Sequence, residues 1–239
     1  MGEGICHEVY EAVYEDPSAP AATYALKRIA RHAYNEQVIN DFNIEQQVTA
    51  NTEHPHLIKA IKIDSIDNKP YMLMPRLVKE RFEPSETAGM LLKIAEGLDK
   101  IHKQGHLHCD VSLKNILFDM DHTPILIDFS ATTQVGQKQG DIKGTHESMS
   151  PEQVKGEILH SQSDLFSLAV VAWEKLSSKT LFKQNAPHLT VVAVVENEVP
   201  PSGLGQKADL VFKKALSKIP SKRHDTCVEF ISNLMDSIS

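Results

Sequence analysis

The order of the secondary-structure signals constrains this fold more than any other feature: strand patterns come first and helix patterns later. Residues 8–14 and 22–29 are rich in Val, Tyr and Ile, and Glu15-Asp16-Pro17-Ser18-Ala19-Pro20 between them has the composition of a turn. A polar stretch with spaced apolar positions, 36–52, reads as a helix. It stops before His54-Pro55, because proline disfavours helix at the residue before it. Residues 57–64 and 71–74 read as two more strands, joined by Asp67-Asn68-Lys69-Pro70. From residue 85 the period changes. Met90, Leu91, Ile94, Ala95, Leu98 and Ile101 recur at three-to-four spacing, one face of a long helix over 85–104 that Gly105 ends. Short strands at 116–118 and 125–127 precede a stretch of little periodicity, 131–145. An apolar buried helix is predicted at 161–177, with further helices near 207–217 and 224–237. The expectation is an α+β, bilobal fold: a small β-rich lobe over 1–76, a larger helical lobe over 77–239, and a boundary near Arg76–Glu83.

At 239 residues the chain can bury a sizeable core without disulfides or metals. Its formal net charge of −7 argues against a general nucleic-acid binder, which needs an excess of basic charge. The longest apolar runs, Leu168–Trp173 and Val191–Val195, fall far short of the ~20 residues of a spanning helix. The first residues lack the basic start and apolar stretch of a signal peptide. Cys6, Cys109 and Cys227 are odd in number and widely spaced, which suggests no disulfide framework and a reducing, cytoplasmic setting.

Three segments carry chemistry. Gly2-x-Gly4-x-x-His7-x-Val9 is a glycine-rich loop of the kind whose backbone N–H groups approach phosphates, although its third glycine position holds a histidine. Alone it is weak and reads more readily as an ordinary turn. Ala25-Leu26-Lys27 puts a lysine at the end of the second strand, behind that loop, where it can reach phosphates; most such lysines are merely solvated. His108-Cys109-Asp110-Val111-Ser112-Leu113-Lys114-Asn115 follows the long helix, with Asp110 and Asn115 five apart. That spacing lets a carboxylate face a substrate hydroxyl while the amide binds a metal. Thirteen residues past Asn115, Asp128-Phe129-Ser130 follows the apolar Ile125-Leu126-Ile127. A carboxylate just beyond a buried strand suits Mg²⁺.

In this order and spacing the chain resembles the eukaryotic-type (Hanks-type) protein kinases, especially compact bacterial Ser/Thr kinases, over almost its whole length. GEGICHEVYEAVYED resembles the phosphate-covering loop and the strand after it, and YALKRI the V-A-I-K strand. HCDVSLKN stands for H-R-D-L-x-x-x-N, DFS for D-F-G, and GTHESMSPE (144–152) resembles the end of the activation segment. The resemblance implies ATP and Mg²⁺ as cofactors and protein Ser/Thr hydroxyls as acceptors. It implies Asp110, Lys27, Lys114 and Asn115 as catalytic residues, with Glu45 pairing Lys27, and Asn115 and Asp128 as metal ligands. Gly2, Gly4 and Lys27 would hold the phosphates. Val9, Ala25 and Leu117 would sandwich the adenine, Met74 would be the gatekeeper, and Pro75 and Leu77 would supply hinge backbone bonds. It also implies that Asp164 holds the catalytic-loop backbone and that Arg223 pairs with Glu152.

Several positions depart from the family. Cys109 replaces the arginine beside the catalytic aspartate, which implies that activation-loop phosphorylation is not required. Lys114 lies four residues after Asp110 rather than two, an arrangement more like tyrosine kinases, while Gly144-Thr145 keeps the Ser/Thr pattern. Ser130 replaces a glycine, and the stack above Phe129 is the small pair Thr49 and Ala60, which suggests a loosely held helix and a regulatory protein that docks it. The chain opens at its glycine-rich loop, so either the domain is minimal or the start codon lies upstream. His102, His106, His108 and Cys109 resemble a metal set, but the kinase reading turns His108 into the catalytic loop and so breaks it. Two other readings stand beside this one: a small-molecule kinase of the aminoglycoside-phosphotransferase type, and a pseudokinase-like binding scaffold. A secreted effector acting in a host cytosol would change the substrate and not the chemistry. The expected partners are ATP and a protein substrate, with no nucleic acid and no membrane.

Overall fold

The structure, a computed structural model, describes residues 2–3, 6–13, 23–80, 84–140 and 143–238. Gly4 and the predicted turn at 15–20 lie outside them. The chain divides into two compact units, Met1–Glu80 with Leu117–Ser130, and Arg81–Ile116 with Ala131–Ser239. The fold is α+β.

The first unit is built on an antiparallel sheet of β1 (Gly2–Glu3), β2 (His7–Val13), β3 (Thr23–Ile29), β4 (Lys62–Ile66) and β5 (Lys69–Pro75), ordered β1-β2-β3-β5-β4. The register pairs Val9 with Lys27, Lys27 with Met72, and Ala25 with Met74. Directly paired residues share a face, so Val9, Ala25, Lys27, Met72 and Met74 lie on one side of the sheet. α1 (Glu36–Asn51) supplies Phe42 to a core with Ile29 and Met72, and its first turn is capped by the Asn35 side chain. The β4–β5 turn uses Asp67 and Asn68 at φ 53° and 59°, the left-handed pair that a tight two-residue hairpin requires. β7 (Ile116–Phe118) pairs with β8 (Pro124–Leu126). Val78 and Phe118 exchange backbone hydrogen bonds at 2.8 and 2.9 Å.

One predicted strand is displaced. Residues 57–60 are loop, and the strand runs over Lys62–Ile66 instead. Leu57 and Ile58 are buried, but Leu57 forms only an isolated bridge to Leu126. The apolar pair that suggested a strand anchors a loop.

The second unit is helical: α2 (Pro84–Lys103), α3 (Pro151–Val154), α4 (Ser161–Ser177), α5 (Pro187–Glu196), α6 (Gln206–Ala215) and α7 (Cys227–Ile238), with a small pairing of β6 (His106–Leu107) and β9 (Thr133–Gln134). On α2 the predicted apolar face is the buried one: Leu91, Ile94, Ala95, Leu98 and Ile101 are at most 1% exposed. Each such Leu or Ile contributes about 1.5–3 kcal/mol. α4 is buried continuously from Ser163 to Trp173 and packs against α2, α6 and α7. A helix buried on all sides belongs at the centre of a unit, and this one carries Asp164, whose carboxylate holds the loop 108–115. Among the described residues, no helix is long and apolar enough to cross a membrane.

Candidate active site

In the first unit Lys27 is the centre. Its Nζ lies 2.6 and 2.8 Å from the two oxygens of Glu45 and 2.7 Å from Asp128 Oδ1. Lys27 is 6% exposed and Glu45 1%. β3 delivers the lysine from the inner face of the sheet, and α1, packed on that face, delivers the glutamate. Glu45 Oε1 also accepts the Phe129 backbone N–H at 3.2 Å, which ties the Asp128-Phe129-Ser130 turn to α1. Burial alone would push the Lys27 ammonium down, but Asp128 and Glu45 outweigh it and hold the lysine well above its usual range. For Glu45 burial dominates and raises the carboxyl; Lys27 only partly offsets it, and the nearby Asp128 charge adds to the rise. Asp128 sits at φ 66°, left-handed for a non-glycine residue, and its side chain keeps 36% exposure. The residues expected around adenine are in the same unit: Val9, Ala25 and Met74 on the sheet, Pro75 at the end of β5, Leu77 just after it, and Leu117 in β7.

In the second unit the loop 108–115 is held by its backbone. Asp164, fully buried on α4, accepts the His108 N–H on Oδ2 and the Cys109 N–H on Oδ1, both at 2.8 Å. Burial would raise the Asp164 carboxyl, but the His102 hydrogen bond and charge hold it below its usual range. Gln153 Nε2 donates to the Cys109 carbonyl at 2.9 Å, and Asn115 Nδ2 donates to the Asp110 carbonyl at 2.9 Å. Cys109 is thereby fixed at φ 63°, a strained geometry for a side chain with a Cβ. The Asp110 carboxylate then meets four donors. Thr145 N–H and Oγ1–H reach Oδ1 at 2.8 and 2.6 Å, and Asn115 Nδ2 and Lys114 Nζ reach Oδ2 at 2.9 and 3.3 Å. Lys114, four residues on, therefore reaches the carboxylate itself.

Glu152 and Arg223 form a bidentate pair: Nη1 to Oε1 at 2.7 Å and Nη2 to Oε2 at 2.8 Å, with the arginine side chain fully buried. Arg223 also donates to the Ser217 and Gln162 carbonyls, and Ser163 Oγ donates to Glu152. The Cys109 side chain lies in an apolar cluster with Leu107, Ala131 and Leu159.

The structure thus gathers Lys27, Glu45 and Asp128 in one unit, and Asp110, Lys114 and Asn115 in the other. Gly4 lies outside the described residues, and Gly2 is in β1. The donor chemistry suits Mg²⁺: a part-exposed carboxylate at Asp128, and at Asn115 an amide whose N–H groups face Asp110, which leaves its carbonyl as the acceptor end. The set His102, His106, His108 and Cys109 does not converge among the described residues. Sequence reasoning passed over Gln153. Its signal was present, since Ser150-Pro151-Glu152-Gln153 is an S-x-x-Q capping box and the box forms here. The His102–Asp164 contact, 2.8 Å from Nε2 to Oδ2, spans 62 residues and carried no local signal.

The protein kinase domain family matches residues 1–237, and the chain belongs to that family. A probable serine/threonine-protein kinase of Clostridium perfringens is 27% identical over 98% of this chain and 37% of its own length. The serine/threonine-protein kinase PknH of Mycobacterium tuberculosis is 26% identical over 94% of this chain and 38% of its own. PknB of the same organism is 25% identical over 81% and 35%. The chain therefore spans well under half the length of these relatives.

Proposed function

We propose that the chain is an ATP-dependent protein kinase that transfers the γ-phosphoryl group to Ser or Thr hydroxyls of protein substrates. The observation that carries this reading is Asp110, a carboxylate on an over-tied loop with Thr145, Asn115 and Lys114 donating to it. Asp110 orients the acceptor hydroxyl and takes its proton as the oxygen bonds to the γ-phosphorus and the bond to the β–γ bridging oxygen breaks. Lys27 holds the α- and β-phosphates, Glu45 keeps its ammonium aimed, and Lys114 neutralises charge near the transferred group. Asn115 and Asp128 would hold Mg²⁺, which supplies charge neutralisation on the phosphates when bound. Val9, Ala25, Leu117 and Met74 contact the base, and Pro75 and Leu77 offer backbone groups to its edge. Little covalent chemistry falls to the protein; positioning and charge stabilisation dominate.

The Thr145–Asp110 bonds and the names of the relatives favour Ser/Thr over Tyr. The buried Glu152–Arg223 pair favours a protein kinase over a small-molecule kinase, and a scaffold would not need the engaged Lys27, Asp110 and Asn115 together. The three free thiols favour a reducing, cytoplasmic location. The test is incubation of the purified protein with labelled ATP, Mg²⁺ and a cell lysate, followed by mass spectrometry. Phosphoserine and phosphothreonine are expected; label only on small molecules, or none, would overturn the reading.

A further inference from the structure

Asp99 and His102 sit one turn apart near the end of α2, and Cys227 opens α7, which packs against α2. Their ligand atoms all lie within 4.8 Å of one another. The Asp99 carboxylate is aimed at the start of α7, with Oδ1 accepting the Cys227 N–H at 2.9 Å and Oδ2 the Val228 N–H at 3.1 Å. Cys227 is 1% exposed and its thiol is in no disulfide.

His102 provides the independent observation. Its side chain is 8% exposed, and Nε2 lies 2.8 Å from Asp164 Oδ2. A carboxylate acceptor requires Nε2 to carry hydrogen, so in the neutral ring Nδ1 presents its lone pair. That Nδ1 is buried and, among the described residues, has no hydrogen-bond partner within 3.5 Å. The nearest carboxylate oxygen, Asp99 Oδ1, is 3.8 Å away, beyond hydrogen-bond range. A histidine whose far nitrogen is fixed by a carboxylate while the near one points at a thiol and a second carboxylate has the arrangement of a metal-bound imidazole.

We propose that Asp99 Oδ1, His102 Nδ1 and Cys227 Sγ form a zinc site that braces α2 against α7. Tetrahedral bonds of ~2.0–2.3 Å separate ligand atoms by roughly 3.3–3.7 Å. The 3.8 Å between Nδ1 and Oδ1 is slightly longer than this, and small side-chain rotations would have to close that gap and any other up to 4.8 Å. A sulfur, nitrogen and oxygen set selects zinc over Mg²⁺ or Ca²⁺, which take oxygen ligands. Water takes the fourth position beside Asp99, at 12% the most exposed of the three. Through the His102–Asp164 bond the ion also steadies the carboxylate that holds the His108 and Cys109 amides. The ion competes with a proton here: burial would lower the His102 imidazole, but Asp164 and Asp99 hold it up at about 9, so zinc uptake must release that proton.

The test uses the full chain without a histidine tag, stripped with a chelator, given equimolar zinc and freed of excess. About one zinc per chain is expected by elemental analysis, together with a raised melting temperature. Cys227→Ala should weaken zinc binding by more than the ~10–100-fold that loss of an outer partner costs. Cobalt in place of zinc should show a thiolate-to-metal charge-transfer band. Because Cys227 is buried and its replacement bears on folding, the same band is sought in Cys6→Ala/Cys109→Ala, whose one remaining thiol is Cys227. No bound metal, equal metal in Cys227→Ala, or no band in the single-thiol variant would each overturn the site.

Discussion

Asp110 is placed by its neighbours' backbone and side-chain donors, so its carboxylate can be altered without moving the loop. Asp110→Asn removes the proton acceptor and keeps the volume. Turnover should fall by ~10²–10⁴, the range for a lost general base, with nucleotide affinity nearly kept. Steady-state rates beside a nucleotide-binding titration check this, and near-normal turnover removes Asp110 from the mechanism. Gly144 has a different role. It lies at φ 126°, and a Cβ there would meet the Cys109 carbonyl oxygen at 2.8 Å. No L side chain fits, and the flexible end of a neighbour cannot yield, because the obstacle is backbone. Gly144→Ala should push Thr145 off Asp110 and lower both turnover and melting temperature, by about 1–3 kcal/mol of strain. A variant with unchanged melting temperature and rate would show that the activation segment shifts freely. At this scale much was legible: Lys27, Glu45, Asp110, Asn115 and Asp128 were all picked out by spacing and resemblance. The residues that hold the loop around Asp110 from afar, His102 through Asp164 and Gln153 through the Cys109 carbonyl, were not, because their roles depend on which helices pack together.

Periodicity and apolar runs reported the long helices well and missed a short one. α4 runs over the predicted residues, and α1 and α2 differ at their ends by a residue or so. α5 was not predicted at all. Its sequence, PHLTVVAVVE, is crowded with β-branched residues that locally favour strand, yet Pro187 at the first turn starts a helix, and Thr190, Ala193 and Val194 bury one helical face. Tertiary packing overrides propensity there. The element ends also carry the main electrostatic tie, Glu152 of α3 to Arg223 just before α7. Removing one partner leaves the other charge buried and unpaired, at about 3–5 kcal/mol. Arg223→Ala should thus lower the melting temperature by roughly 6–20 °C, at ~2–4 °C per kcal/mol. A double-mutant cycle with Glu152→Gln should show coupling, and an unchanged melting point refutes the pair. Burial would raise the Glu152 carboxyl, but Arg223 and Ser163 hold it below its usual range. Its stabilisation is full above the unfolded glutamate value of about 4.3 and is lost as pH falls through the lower folded value. Melting temperature against pH should fall below that point in the wild type, and Glu152→Gln should flatten that part of the curve.

For the whole molecule the question is what switches it on. In H-R-D relatives the arginine is a buried cation that opposes the active loop until a phosphate neutralises it. Here that position is Cys109, 2% exposed in an apolar cluster with Leu107, Ala131 and Leu159, and a cysteine there presents no cation to a phosphate. Burial pushes its thiol well above the usual range, so the side chain is neutral. The activation segment is held by other means. β9 pairs with β6, Val135 N–H bonds to the Gly105 carbonyl, and Leu159 exchanges hydrogen bonds with Gly136 and Gln137 at 2.8 and 2.9 Å. Thr145 already bonds Asp110. In the first unit, Lys27 already pairs with Glu45. The competing view is that the small Thr49 and Ala60 pair makes α1 the regulated element, awaiting a partner protein. Against it, Thr49 is 1% exposed, its hydroxyl donates to the Glu45 carbonyl at 2.8 Å, and its own carbonyl accepts the Ala60 N–H at 3.2 Å. The small pair leaves α1 anchored through backbone. Activity should therefore not require activation-loop phosphorylation, and modification of Thr132, Thr133 or Ser148 should leave it in place; Thr145 differs, because its hydroxyl donates to Asp110. The check is to treat the purified protein with a phosphatase, confirm by mass that it is unmodified, and measure its initial rate alone. An undiminished rate is expected. A rate near zero that returns on rephosphorylation of residues 131–149 would show that the segment needs the phosphate after all, and one that returns only with a partner protein would make α1 the switch.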